Sequence, residues 1–227
     1  SGKYVLVPET IDSEKLIESV YVPIKSAADA KGVNFVIDVP KSHPGLVRVD
    51  PVNTEKIFLN LLSNAVKFTP RGGTVEFRIE CLDVPVDGSN CRITVRDTGI
   101  GIGEKFMPKL FDPFTQEHSP EATDVTGTGL GLSIVKRLVI MMGGSIRVES
   151  MKGKGACFVV YLPIEPVQGD AERKENPQSG TVDFSGRKIL LCEDNALNME
   201  ISKTLLESRG FDVICAENGR KKNKKFS

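Results

Sequence analysis

The sequence is short of the residues that most often do covalent chemistry. Among 227 residues there are two histidines, His43 and His118, both in loop-like surroundings, and neither reads as a catalyst. The five cysteines (Cys81, Cys91, Cys157, Cys192 and Cys215) form no Cys-x-x-Cys pair, which argues against a thiolate metal site or a dithiol redox motif. Most lie among strand-like residues, where a thiol passes as a small hydrophobe, and a reduced, cytoplasmic chain is expected. Net charge is also missing: 30 Lys and Arg balance 30 Asp and Glu, so no sequence-wide field draws the chain to nucleic acid or anionic lipid. The basic tail Lys221 to Lys225 is a local exception and reads as a solvated terminus. No stretch approaches the ~20 apolar residues of a membrane span, and no signal-peptide pattern is present, so no membrane contact is expected of this stretch. Because it starts at Ser1 without a methionine, the chain is expected to be part of a longer protein.

What the chain does have is glycine in two clusters. Asp97-Thr98-Gly99-Ile100-Gly101-Ile102 is followed by Phe111-Asp112-Pro113-Phe114, and then by Gly127-Thr128-Gly129-Leu130-Gly131-Leu132. The second cluster opens into an apolar helix, Leu130 to Met142, whose first N–H groups have no partner within the helix. Such a place suits a polyphosphate. That helix is apolar almost all round and is expected to be buried against a sheet.

Upstream, Tyr4 to Val7 reads as a short strand. Asp12 caps a helix with apolar residues at Leu16, Ile17, Val20, Ile24, Ala27 and Ala28, kinked by Pro23 and ended by Gly32. Strands follow at Val33 to Val39 and Leu46 to Val49. Asp50-Pro51 then starts a helix to about Phe68. On that helix Asn60, Asn64 and Lys67 fall within about 60° of one another, a narrow polar stripe across an apolar surface. Carboxamide oxygens can ligate magnesium and lysine can meet phosphate, so the stripe is expected to face the glycine clusters. Thr74 to Cys81 and Cys91 to Asp97 are expected to pair as a hairpin, and Asp97 at the strand end could accept a hydrogen bond from an exocyclic amine such as that of adenine. Two closing strands, Ser145 to Ser150 and Ala156 to Leu162, flank the turn Lys152-Gly153-Lys154-Gly155.

From Pro163 to Gly186 the composition turns to Pro, Glu, Lys, Gln, Gly and Ser, which is linker chemistry. A strand at Ile189 to Cys192, a helix from about Ala196 to Ser208 and a strand at Asp212 to Ala216 then begin a new domain. The expected organisation is a domain over 1–163, a linker over 164–186 and a second segment over 187–227.

Taken with their order, these motifs resemble the ATP-binding catalytic domain of two-component sensor histidine kinases, within the gyrase, heat-shock chaperone, histidine kinase and mismatch-repair ATPase superfamily. The N box lies at Asn60 to Thr69, the G1 box at Asp97 to Ile102, the F box at Phe111 to Phe114 and the G2 box at Gly127 to Leu132. The resemblance implies an α+β fold, a two-layer α/β sandwich with three helices on one face of a mixed, largely antiparallel sheet. It implies that Asn60 and Asn64 hold Mg2+, Lys67 a phosphate and Asp97 the adenine amine of ATP, with Phe68 bordering the base. Gly99, Gly101 and Ile102 would form the turn beneath the base. Gly127, Thr128, Gly129, Leu130, Gly131 and Leu132 would bring backbone amides to the triphosphate, and Gln116 would reach the outer phosphates from a lid over Thr115 to Thr126.

Residues from Arg187 resemble the start of a response-regulator receiver domain, with Glu193 and Asp194 at its acidic pair, and the strand that would carry the phosphoacceptor aspartate is absent from this sequence. The implied function is the ATP-binding half of a hybrid histidine kinase acting on a histidine in a separate dimerisation domain, with a receiver or phosphotransfer protein downstream and a parent that can be membrane-anchored. No catalytic residue is assigned within this chain. Hydrolysing relatives carry a glutamate base at the position of Asn60, so slow hydrolysis is expected. The alternatives are a stand-alone ATPase of the same superfamily and a nucleotide-binding pseudokinase that serves as a docking module; Ala156-Cys157, where many relatives have a hydroxyl residue, leaves the latter open.

Overall fold

The computed structural model describes residues 5–40, 44–117, 128–167, 186–192 and 196–216. The chain divides into two units, Ser1–Val167 and Gln168–Ser227. In the first, β1 (Glu9–Asp12) leads into α1 (Ser13–Lys31), and the Asp12 side chain accepts the Glu14 amide at 2.9 Å, supplying an N-cap. Gly32, at φ 72°, turns the chain out of the helix. Pro23 lies inside α1 without ending it, since a proline removes only one ladder donor. The strand expected at Tyr4 to Val7 is not found: Val5 to Val7 are non-strand, Tyr4 lies outside the described residues, and pairing begins beyond Pro8, at Glu9.

After β2 (Asn34–Asp38) and β3 (Leu46–Val49), α2 (Pro51–Phe68) starts on the buried Asp50, whose carboxylate accepts the amide of Asn53 at 2.9 Å. The other oxygen, Oδ2, accepts from both the Asn53 side chain and the Val7 amide, each at 2.9 Å, which fastens the entering chain to the helix. β4 (Thr74–Val86) and β5 (Ser89–Asp97) form the expected hairpin, and both strands run further than expected, to a turn at Asp87 and Gly88. A 3-10 turn at Met107–Lys109 precedes α3 (Gly131–Met141), and β6 (Ser145–Ser150) and β7 (Ala156–Leu162) close the sheet.

The sheet order is β2-β4-β5-β7-β6, parallel only between β2 and β4. One face carries the three helices. Val20 and Ile24 of α1, Phe58, Leu61 and Leu62 of α2, and Val135, Leu138 and Val139 of α3 are buried together with Val75, Phe77, Ile93, Val95, Phe158 and Val160 of the strands. Phe58 meets Phe77 edge-on at 5.3 Å. Truncating one such side chain to alanine costs about 2–5 kcal/mol. The opposite face is polar, with Arg92 held by two 2.8 Å bonds to Glu80 and Arg78 paired with Glu76. Helix α3 is less enclosed than its apolar sequence suggests: Ile134 and Ile140 are exposed, because only its Val135, Leu138 and Val139 stripe meets α2 and the sheet.

A second small sheet, β1-β3-β8, includes β8 (Glu165–Pro166), two residues of the stretch read as linker, paired antiparallel with Arg48 and Val47. Just before it, the Asn90 side chain donates to Ile164 O at 2.6 Å and accepts the Ile164 amide at 2.8 Å. The second unit, taken by itself, contains β9 (Lys188–Cys192), α4 (Ala196–Ser208) and β10 (Asp212–Ala216), with β10 parallel to β9 in register Asp212 to Lys188. That is a β-α-β crossover.

Candidate functional site

The α2 stripe meets the second glycine cluster. The half-buried Asn60 donates through Nδ2 to Lys56 O at 2.7 Å, which turns Oδ1 outward from the helix. A Cβ built on Gly131 would lie 2.7 Å from that oxygen and 3.9 Å from Asn64 Nδ2, so any larger residue there would displace the Asn60 carboxamide. Lys67, one turn on, holds its ammonium 5.5 Å from the centre of the Phe68 ring.

No side chain caps the first turn of α3, and its positive end therefore opens beside the two carboxamides. Leu130 is the N-cap residue, Leu132 and Ser133 are half-buried in the first turn, and the Ser133 hydroxyl donates to Leu130 O at 2.8 Å. Thr128 is exposed and Gly129 takes a left-handed φ of 70°. Gly127 lies outside the described residues, as do Glu193 and Asp194, and His43 and His118.

At the other end of α2, Phe68 O accepts the Ile100 amide at 3.2 Å, joining the helix to the first glycine cluster. Asp97 is buried at the end of β5. Its Oδ1 accepts from the Gly99 amide at 2.8 Å and the Ala156 amide at 3.3 Å. Burial pushes the Asp97 carboxyl above the ordinary aspartate value, and the two backbone donors offset only part of that effect. The second oxygen carries no protein hydrogen bond among the described residues, which leaves an acceptor open to a ligand.

The aromatic box joins the second cluster through the backbone. Phe114, itself at φ 63°, donates its amide to Gly129 O at 3.0 Å, and Lys136 of α3 stands over Phe111 at 5.2 Å. Gln116 is exposed. The neighbouring Glu117 accepts the Gly103 amide at 3.3 Å and pairs with Lys152 at 3.3 Å.

Sequence reasoning gave Glu117, Ser150 and the turn from Met151 to Gly155 no part in the site, reading the last two only as a strand end and a turn. The turn is bonded to the first glycine cluster: Gly153 donates to Ile100 O at 2.7 Å, and Ile102 donates to the Ser150 hydroxyl at 2.8 Å. The available signal was the pair Gly153 and Gly155, spaced like Gly99 and Gly101.

Known proteins resemble this chain in sequence and fold. Residues 49–166 match the family described as histidine kinase-, DNA gyrase B- and HSP90-like ATPases. The autoinducer 2 sensor kinase/phosphatase LuxQ of Vibrio parahaemolyticus is 35% identical over 212 residues, covering 92% of this chain and 24% of LuxQ. The sensor histidine kinase GacS of Pseudomonas protegens is 33% identical over 213 residues, covering 94% of this chain and 23% of GacS. This chain thus spans about a quarter of the length of these relatives. Among solved structures, full-length ShkA in complex with AMPPNP superimposes with a TM-score of 0.62 at 28% identity, covering 95% of this chain and 42% of that one. With the α/β sandwich and the ordered glycine clusters already in place, the chain belongs to the histidine kinase-, DNA gyrase B- and HSP90-like ATPase family, and its relatives there are sensor histidine kinases.

Proposed function

We propose that residues 1–163 bind ATP with Mg2+ and transfer its γ-phosphoryl group to a histidine on a separate helical dimerisation domain, as the catalytic domain of a hybrid sensor kinase. The observation that carries this reading is the Asn60 carboxamide set against Gly131 at the uncapped start of α3. Phosphoryl transfer depends mainly on positioning and charge neutralisation, and the chain's residues supply both.

The donor set suits magnesium. Two carboxamides offer few protein ligands, which leaves most of the coordination to water and phosphate oxygens, as Mg2+ prefers. Among the described residues, no group of three or more His, Cys, Asp or Glu side chains is arranged to hold a metal instead. Asn60 and Asn64 would hold the ion, which supplies charge neutralisation on the phosphates. The amides of Gly127 to Leu132 receive the phosphate oxygens, Lys67 adds positive charge, and Gln116 reaches the outer phosphates. Asp97 accepts from the adenine amine through its open oxygen, with Phe68 at the edge of the base and Gly99, Gly101 and Ile102 beneath it. A carboxamide at position 60 takes no proton from water, so hydrolysis is slow.

Residues 164–186 would link this domain to the opening of a receiver domain over 187–227, a reading supported by the β9-α4-β10 crossover. A receiver or phosphotransfer protein follows in the relay, and the site lies on the cytoplasmic side of a parent that can be membrane-anchored.

The test is ATP binding with and without magnesium for the parent and Asn64→Ala, followed by addition of the helical histidine domain and assay for acid-labile phosphate. Binding that is magnesium-dependent, reduced at least about tenfold in the variant, and followed by histidine phosphorylation is expected. Turnover of ATP at gyrase-like rates without any histidine domain would overturn the assignment.

A further inference from the structure

The turn Met151–Gly155 between β6 and β7 has no role in the nucleotide reading, yet the turn and the residue on either side of it are fastened to the Asp97–Ile102 loop at three points. Gly153 N–H reaches Ile100 O at 2.7 Å, Ile102 N–H reaches the Ser150 hydroxyl at 2.8 Å, and Ala156 N–H reaches Asp97 Oδ1 at 3.3 Å. Two glycines interlock the segments: a Cβ on Gly101 would lie 2.1 Å from Met151 O, and one on Gly155 would lie 1.9 Å from Asp97 O. Both also hold left-handed φ, 65° and 85°.

A loop containing Gly99 and Gly101 has little shape of its own, because glycine restricts the backbone least. Its shape must come from a neighbour. Two side chains in these contacts bridge both segments, the Asp97 carboxylate through Gly99 and Ala156, and Ser150, whose hydroxyl accepts from Ile102 and donates to Gly155 O at 2.7 Å, so its single proton is committed.

We infer that Ser150 is a positioning residue for the nucleotide, holding the Asp97–Ile102 loop against the Met151–Gly155 turn so that the open Asp97 oxygen is aimed before ligand arrives. This rests on the ATP reading of the site. Without the hydroxyl the half-buried Ile102 amide loses its partner, the loop samples other shapes, and the cost of ordering it is charged to binding.

Ser150→Ala is therefore expected to raise the Kd for ATP about tenfold, equally in magnesium and in EDTA, whereas the loss in Asn64→Ala is confined to magnesium. In the nucleotide-free parent the Ile102 amide is expected to exchange slowly with solvent, and in Ser150→Ala to exchange fast. Ser150→Thr, which keeps the hydroxyl, restores both. Should the alanine variant unfold, Ser150→Cys keeps the volume while weakening the acceptor, and is read by the same two measurements. A parent that does not bind ATP sinks the nucleotide reading and this inference with it. A parent that binds, beside a folded Ser150→Ala or Ser150→Cys that binds equally well or keeps Ile102 protected, overturns this inference alone.

Discussion

Asn60 Oδ1 and Gly131 face each other across the α2 and α3 contact with room for no additional carbon, a Cβ on the glycine falling 2.7 Å from the oxygen. Gly131 has no left-handed φ to protect, so the consequence of adding a methyl group is steric. In Gly131→Ala the carboxamide swings aside and gives up its bond to Lys56 O, because a side-chain end moves more cheaply than a helix. The fold survives, and magnesium-dependent ATP affinity drops about tenfold, as calorimetric titration with and without the metal would show.

Asp97 makes stability and binding pull in opposite directions. Its folded-state carboxyl is raised by burial, so the folded chain takes up this proton more readily than the unfolded one. The group's contribution to stability is greatest below the unfolded aspartate value and is lost as pH rises through the raised one. With Asp97 in its proposed role as acceptor for the adenine amine, the ionised form is needed, so ATP affinity is expected to fall when pH is lowered through the same raised value. Asp97→Asn removes the buried charge and keeps an oxygen for Gly99 and Ala156, but presents an amide donor to the adenine amine. At neutral pH its Tm is expected to equal or exceed the parent's while ATP affinity falls about tenfold to a hundredfold.

Asp50 is expected to matter for folding and not for nucleotide. Asp50→Ala strips an N-cap and leaves Val7 N–H and both Asn53 donors without their acceptor. A loss of about 2 kcal/mol or more follows, readable as a lower urea midpoint with the slope unchanged. Asp50→Asn recovers part of it by keeping one acceptor oxygen.

Cys91 lies opposite Cys81 across the hairpin, and burial pushes its thiol up to about 12. Alkylation of the native protein at neutral pH, followed by peptide mapping, should modify the exposed Cys81 and leave Cys91 until the chain is unfolded.

Much of the catalytic domain's outline is legible in the sequence because its boundaries are chemical. Asp12 and Asp50 are helix caps, Gly32 is a stop, and the turn around Gly153 fixes the ends of β6 and β7 to the residue. Legibility fails where local pattern and tertiary partner disagree. Tyr4 to Val7 carries strand-forming residues, but Pro8 follows and the pairing partner β3 is met only from Glu9 on. Val84 and Val86 extend β4 past Cys81 even though Pro85 lies between them, because the end of the hairpin needs few ladder donors. In α3, composition gave no warning that Ile134 and Ile140 face outward, since exposure depends on where its neighbours stop.

The site divides along the same line. Carboxamides on an apolar helix and glycines in clusters are visible as unusual local choices, and their facing positions follow from the helical repeat. Ser150 and Glu117 are ordinary residues whose meaning lies in partners 48 and 14 positions away, Ile102 and Gly103. A single sequence holds no trace of such pairings.

The grip of Asn90 on Ile164 and the stitching of β8 to β3 also decide how mechanical load travels. Tension applied beyond Val167 is borne in shear by the small β1-β3-β8 sheet and by a two-bond side-chain hook on β5, before it can peel β7 away. Since β7 begins at Ala156, beside Asp97, this anchorage shields the Asp97 end of the candidate site from a pull on the residues beyond Val167.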